Sequence, residues 1–335
     1  MGRDYRADNI RFLLILLMVF AHLLEYVSGE TADSLYRLIY SFHMSAFVFL
    51  TGYFARFNPG KILLSLVWPY FLFQTLYKLF SGYILQGAET VALTYTTPYW
   101  LLWYLMATVF YYLLLPMLNQ ETGGGQMAVL LGVTVLSLLA GQDESVGYYL
   151  TLSRFFCYLP FFVAGHYAGR EKGISGKTMG GKQRWILLAL CLVGVILAEG
   201  CIVSEGEVFR RNVLYGSYAY EKEQYSWLER LLLHGTGFAW IGVLMLTVPN
   251  RRIPVISRIG GNTLSIFLFH GFLTRWIGKE KIFTYTEGEN LLLALLIAVG
   301  LLLLFGNPVS AWICKWFFTG HWLTYFSKKK ERTKA

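Results

Sequence analysis

In the stretch DNIRFLLILLMVFAHLLE (residues 8–25), Arg11 stands eleven residues before His22, and Glu25 follows three residues later. On a helix, eleven residues turn the chain through three full turns and a small remainder. Arg11 and His22 therefore share one face, about 16 Å apart. Glu25 falls one turn beyond His22, at the i,i+3 spacing where side chains meet, and Asp8 stands in the same relation to Arg11. A carboxylate beside an imidazole fixes its tautomer and strengthens it as a base, which is the chemistry of proton abstraction from a hydroxyl. The bland readings are that Arg11 reaches the headgroups and that Glu25 sits at a water interface.

Other chemistry-bearing residues lie in later apolar stretches. His43, in FHM, falls at a depth similar to His22 and fits either a two-histidine site or a core histidine. A zinc set of His22, Glu25 and His43 would be complete in number. The helix lacks a second histidine beside the pair, however, and no metal is expected. Arg154 opens another apolar stretch, where it could hold a substrate oxygen, pair with Glu25 or snorkel. Trp100, Trp103 and Tyr104 suit either stacking on a sugar ring or anchoring at a membrane interface. His270 and Asn262 are further candidates for lining the site.

These residues need a scaffold, and the composition names the solvent. Of 335 residues, 56% are hydrophobic and 15% charged, against roughly 25% charged in soluble domains. Continuous runs such as LLLALLIAVGLLLLF (residues 291–305) lack the alternation of barrel strands. The expected fold is all-α and polytopic, because lipid leaves backbone groups no partner outside a helix or closed barrel. The net charge of +9 collects at span edges, as membrane orientation and anionic lipid headgroups require, which argues against a nucleic-acid partner. Four cysteines without CxxC spacing read as small core residues.

Spans of about 20 apolar residues are expected at 9–27, 36–54, 62–83, 99–118, 127–141, 148–168, 185–203, 229–248, 259–277 and 290–318, the last interrupted by GNP at 306–308. Counting Lys and Arg in the connections, with Arg11 at the inner edge of the first span included, gives eighteen on the side of the N-terminus and five on the other. Both termini are thus expected in the cytoplasm. The first span carries Arg11 and no small-residue cleavage site, so it reads as a retained helix. The organisation expected is one transmembrane domain over 1–327 and a basic cytoplasmic tail over 328–335. The longest connection, 204–228, mixes Arg, Glu and Tyr as an external cap or acceptor-binding loop would.

Asp8 and Arg11-x10-His22 in a first span resemble the signature of the integral-membrane acyltransferase family three. LYRLIYSFHMSAFVFLTGYFAR (35–56), PYWLLWYLMATVFYYLLLP (98–116), RFFCYLPFFVAGHYAG (154–169) and GNTLSIFLFHGF (261–272) are similar to later segments of that family. Together they most resemble its fucose 4-O-acetylase-like branch and the membrane domains of serine racemase-type resistance proteins. The resemblance implies O-acylation, most simply O-acetylation from cytoplasmic acetyl-CoA, of a glycan or similar cell-envelope hydroxyl. It implies a multi-pass protein of the bacterial cytoplasmic membrane. In that reading Arg11, with Asp8 beside it, meets acyl-CoA; His22 is the general base and Glu25 orients it. His43, Trp103, Tyr104, Arg154, Asn262 and His270 then line the site or bind the acceptor. Two rival readings are a proton-coupled transporter or flippase, and a noncatalytic membrane partner.

Overall fold

The computed structural model describes residues 4–170, 180–204 and 209–318. The basic tail at 328–335, together with Arg3, Lys172 and Lys177 of the orientation count, lies outside the described residues. Among the described residues all regular structure is helical. Six helices are long and apolar enough to cross a membrane: α1 (Tyr5–Leu24), α3 (Pro59–Leu85), α4 (Trp100–Met117), α7 (Gly181–Ser204), α8 (Trp227–Thr247) and α11 (Glu287–Phe305). The other expected spans coincide with the more polar helices α2 (Glu30–Phe54), α6 (Leu152–Arg170) and α10 (Thr263–Glu280), and with the 17-residue α5 (Gly123–Leu139).

Two expected spans are broken. The segment 259–277 belongs to two helices, α9 (Pro254–Gly261) and α10, separated at Asn262. The last span ends at Phe305, and Pro308 opens α12 (Pro308–Ile313), as a proline at a first helical position does.

Helix starts follow local chemistry. The Asp4 side chain accepts from Ala7 N at the head of α1, and Ser226–Glu229 and Thr286–Glu289 form capping boxes on α8 and α11. Glu287 of α11 also accepts from Ala32 N at 2.9 Å, so one helix caps the start of another.

α1 is buried around most of its circumference, as a helix apolar on every face must be. Its upper half packs in one apolar cluster with α10 and α11, and Ala7, Ile10 and Leu14 pack in a second with α2, α6 and α8. Asn9 fixes the start of α1. Its amide donates to Pro249 O and Arg251 O, both at 3.0 Å, and its oxygen accepts from Ser257 Oγ at 2.7 Å.

α2 and α6 approach at backbone distance. A Cβ on Gly165 would lie 2.0 Å from Phe49 O, and one on Gly169 would lie 2.1 Å from Tyr53 O. Gly165-x3-Gly169 is the small-residue spacing that lets membrane helices touch. This contact holds the Arg154-bearing helix against the His43-bearing one.

Candidate active site

One stripe of α1 faces an internal space along its whole length. Arg11, Ile15, Met18, His22 and Glu25, spaced alternately four and three residues apart, all line it. The space consists of two cavities. The first, about 330 Å³, holds His22, Glu25, Tyr40, His43, Trp100, Trp103, Arg154, Tyr215 and Arg275 on its walls. The second, about 290 Å³, is lined by Arg11, Thr51, Phe54, Lys61, Tyr112 and Thr263. Met18, Met44, Tyr104 and Phe267 line both, so the cavities meet near the middle of α1.

His22 is 7% exposed and its Nδ1 lies 3.1 Å from His270 Nε2. The rings are nearly parallel, 5.4 Å between centroids. His270 Nδ1 contacts Ile266 O at 2.9 Å and Phe267 O at 3.0 Å. Carbonyl oxygens only accept, so Nδ1 of His270 carries the hydrogen and, in the neutral ring, Nε2 carries the lone pair. His22 Nδ1 must then donate to it. The lone pair of His22 is therefore on Nε2. Trp100 packs against the same ring at 4.6 Å.

Glu25 shares the cavity but does not hydrogen-bond His22. It sits one residue past the last helical turn of α1 and accepts from Tyr40 OH at 3.1 Å. The expected His22–Glu25 contact is thus replaced by His22–His270. His43, also on the cavity wall, donates from Nδ1 to Ile39 O at 2.7 Å, which leaves its Nε2 as the acceptor nitrogen.

Arg11 pairs with Asp8 at 3.3 Å and lies over the Phe54 ring at 4.5 Å. Asp8 is buried beside it and does not line the cavity. Arg154 does not pair with Glu25. Its Nε donates to Tyr215 O at 3.1 Å, and its guanidinium lies 5.1 Å from Trp103 and 5.4 Å from Tyr148. Trp103 stacks on Tyr158, and Tyr104 hydrogen-bonds Thr51 at the junction.

Asn262 does not reach this site. Its amide donates to Gly306 O at 3.3 Å, and it faces a separate surface cavity with Arg258 and Lys315. The break between α9 and α10 turns it away. Among the described residues no three His, Cys, Asp or Glu side chains are grouped as a metal-binding set.

Arg275, Tyr40, Tyr99, Tyr148 and Tyr215 complete the first cavity, and none was a sequence candidate. The readable signal for Arg275 was an arginine placed beside Trp276 inside an apolar span. Tyr215 comes from the long connection, part of which folds over the cavity: Tyr36 OH donates to Tyr215 OH at 2.8 Å, and Ser153 Oγ donates to Gly216 O at 2.8 Å. The segment before α4 is held by Gln74, whose amide donates to Thr94 O and Thr97 O and accepts from Tyr99 N. That grip keeps Trp100 at φ 41°, a left-handed conformation that costs a bulky residue about 1–3 kcal/mol.

A family model described as an acyltransferase domain, Acyl_transf_3, matches residues 4–313. The chain belongs to acyltransferase family three. No curated protein and no solved structure matches it. As a helical membrane acyltransferase, it carries within the matched region every residue that lines the two cavities.

Proposed function

We propose that this acyltransferase moves an acetyl group from acetyl-CoA to a hydroxyl of a glycan or similar cell-envelope acceptor, with His22 as the general base. One observation supports the reading: two cavities meet along a single face of α1, one with cations at its edge and the other with His22 on its wall, its Nδ1 already engaged by His270. Arg11 and Lys61 suit the phosphates of CoA, which a guanidinium recognises through paired charge-assisted contacts. The pantetheine arm would follow the α1 stripe to the junction at Met18 and Tyr104. The acceptor would occupy the aromatic cavity.

In this reading His22 Nε2 takes the proton of the acceptor hydroxyl while its oxygen attacks the thioester carbon. The tetrahedral intermediate collapses, the carbon–sulfur bond breaks, and the imidazolium returns the proton to the CoA sulfur. Throughout, Nδ1–H of His22 stays on His270, so the ring does not turn. Glu25 and Tyr40 shape the wall against which the acceptor rests. The reading includes ten spans, cytoplasmic termini and a bacterial cytoplasmic membrane, which puts the Arg11 cavity on the donor's side.

The test is transfer of labelled acetyl from acetyl-CoA by the purified protein and by His22→Ala. Loss of a general base costs about 10²–10⁴-fold. A His22→Ala protein that binds CoA and transfers acetyl at the wild-type rate would sink the mechanism.

A further inference from the structure

The His22 cavity carries two guanidiniums and one carboxylate on its walls. The carboxylate, Glu25, is engaged by Tyr40. Arg154 uses its Nε on a backbone carbonyl and makes no ion pair among the described residues. Arg275 meets two neutral hydroxyls, Tyr26 OH and Tyr99 OH, the latter at 3.4 Å from both Nε and a terminal nitrogen; it is within electrostatic reach of Glu25 but makes no ion pair with it. Both are partly buried and braced against aromatic rings. Arg154 lies 5.1 Å from the Trp103 ring, and Arg275 lies 5.1 Å from the Trp100 ring.

A cation drawn out of water is costly unless something opposite in charge meets it. Two such cations on the wall of one cavity against a single carboxylate, each held by neutral groups and aromatic rings rather than by an ion pair, make a preset receptor for an oxyanion. Arginine's planar fork matches carboxylate and phosphate alike.

We infer that the acceptor is an anionic sugar unit whose carboxylate or phosphate is held by Arg154 and Arg275 while its hydroxyl faces His22. This rests on the O-acyltransferase reading above and adds the charge of the acceptor to it. A neutral sugar would leave both guanidiniums without an ion-pair partner and bind weakly.

Calorimetric titration of the full-length protein in detergent with glucose, glucuronic acid and glucose 1-phosphate tests it on one ring. At least one charged sugar should bind about ten- to a hundredfold more tightly than glucose. The carboxylate and phosphate arms say which anion is preferred. Arg154→Gln and Arg275→Gln should each remove most of that preference, with CoA affinity unchanged as the sign that the variants are folded. Glucose binding as well as the charged sugars, no measurable binding of either charged sugar, or a charge preference that survives both substitutions would overturn the inference. The transferase reading fails separately: charged sugars would bind and lose affinity in the variants, yet take no acetyl from acetyl-CoA.

Discussion

His22 and His270 lie 248 residues apart in sequence and face each other across 3.1 Å. Two backbone carbonyls dictate which nitrogen of His270 holds its hydrogen, and His270 in turn dictates which nitrogen of His22 is free. The tautomer and orientation of the His22 ring are thus set by the backbone of α10.

His270→Gln can still offer an oxygen to the His22 Nδ1–H, whereas His270→Phe cannot. We expect the phenylalanine variant to lose about threefold to tenfold in kcat, the worth of one neutral hydrogen bond. The Michaelis constants should hardly move, and the glutamine variant should retain more activity than the phenylalanine one. Equal loss in both would mean that His270 contributes packing alone.

Glu25→Gln keeps an acceptor oxygen for Tyr40 and does not touch His22. It should cost much less than His22→Ala. Because Glu25 and Tyr40 act through one contact, the losses from Glu25→Ala and Tyr40→Phe should not add in the double variant. Strict additivity in acceptor kinetics would show that the two work apart.

Arg11→Ala should weaken CoA binding by about ten- to a hundredfold, as loss of a charge-assisted contact does. Acceptor affinity should stay close to wild type, because Arg11 lines the other cavity. Lysine should recover part of the loss by keeping the charge without the fork. Titration of each variant with CoA decides the matter, and wild-type affinity in Arg11→Ala would reduce the residue to a partner for Asp8.

Gly165→Ala places a methyl 2.0 Å from Phe49 O, where backbone must move to admit it. Overpacking of this kind costs about 1–3 kcal/mol. A lower midpoint of thermal unfolding in detergent is expected. The open position Gly132, where a Cβ meets nothing within 4 Å, is the control and should show no such drop.

Reporter fusions within 171–184 and after Lys330 should both report cytoplasm if the charge count orients the chain. An external signal from either would reverse the side assigned to the donor.

The part of the site on α1 was legible because helical period alone puts Arg11, His22 and Glu25 on one stripe. The His22 partner was not, since nothing local links residue 22 to residue 270. Glu25 departs from its helical spacing for a local reason: past the last turn of α1, its carboxyl meets Tyr40 of the neighbouring helix instead of His22. An apolar count over 259–277 also passed over Gly260, Gly261 and Asn262, whose helix-breaking character separates α9 from α10. Arg275 was hidden by being counted as part of a span, although a charge at that depth is costly without a purpose.

The meeting of the two cavities at Met18 and Tyr104 has an electrical meaning. With the acceptor entering past Arg275 and CoA past Arg11, the proton leaving the sugar hydroxyl departs on the CoA sulfur, at the opposite mouth. Each turnover then moves a proton inward and the acetyl group that replaces it outward, so neither side of the bilayer changes its charge. In sealed liposomes the equilibrium of transfer should therefore be indifferent to membrane voltage, so the thioester alone would drive the reaction.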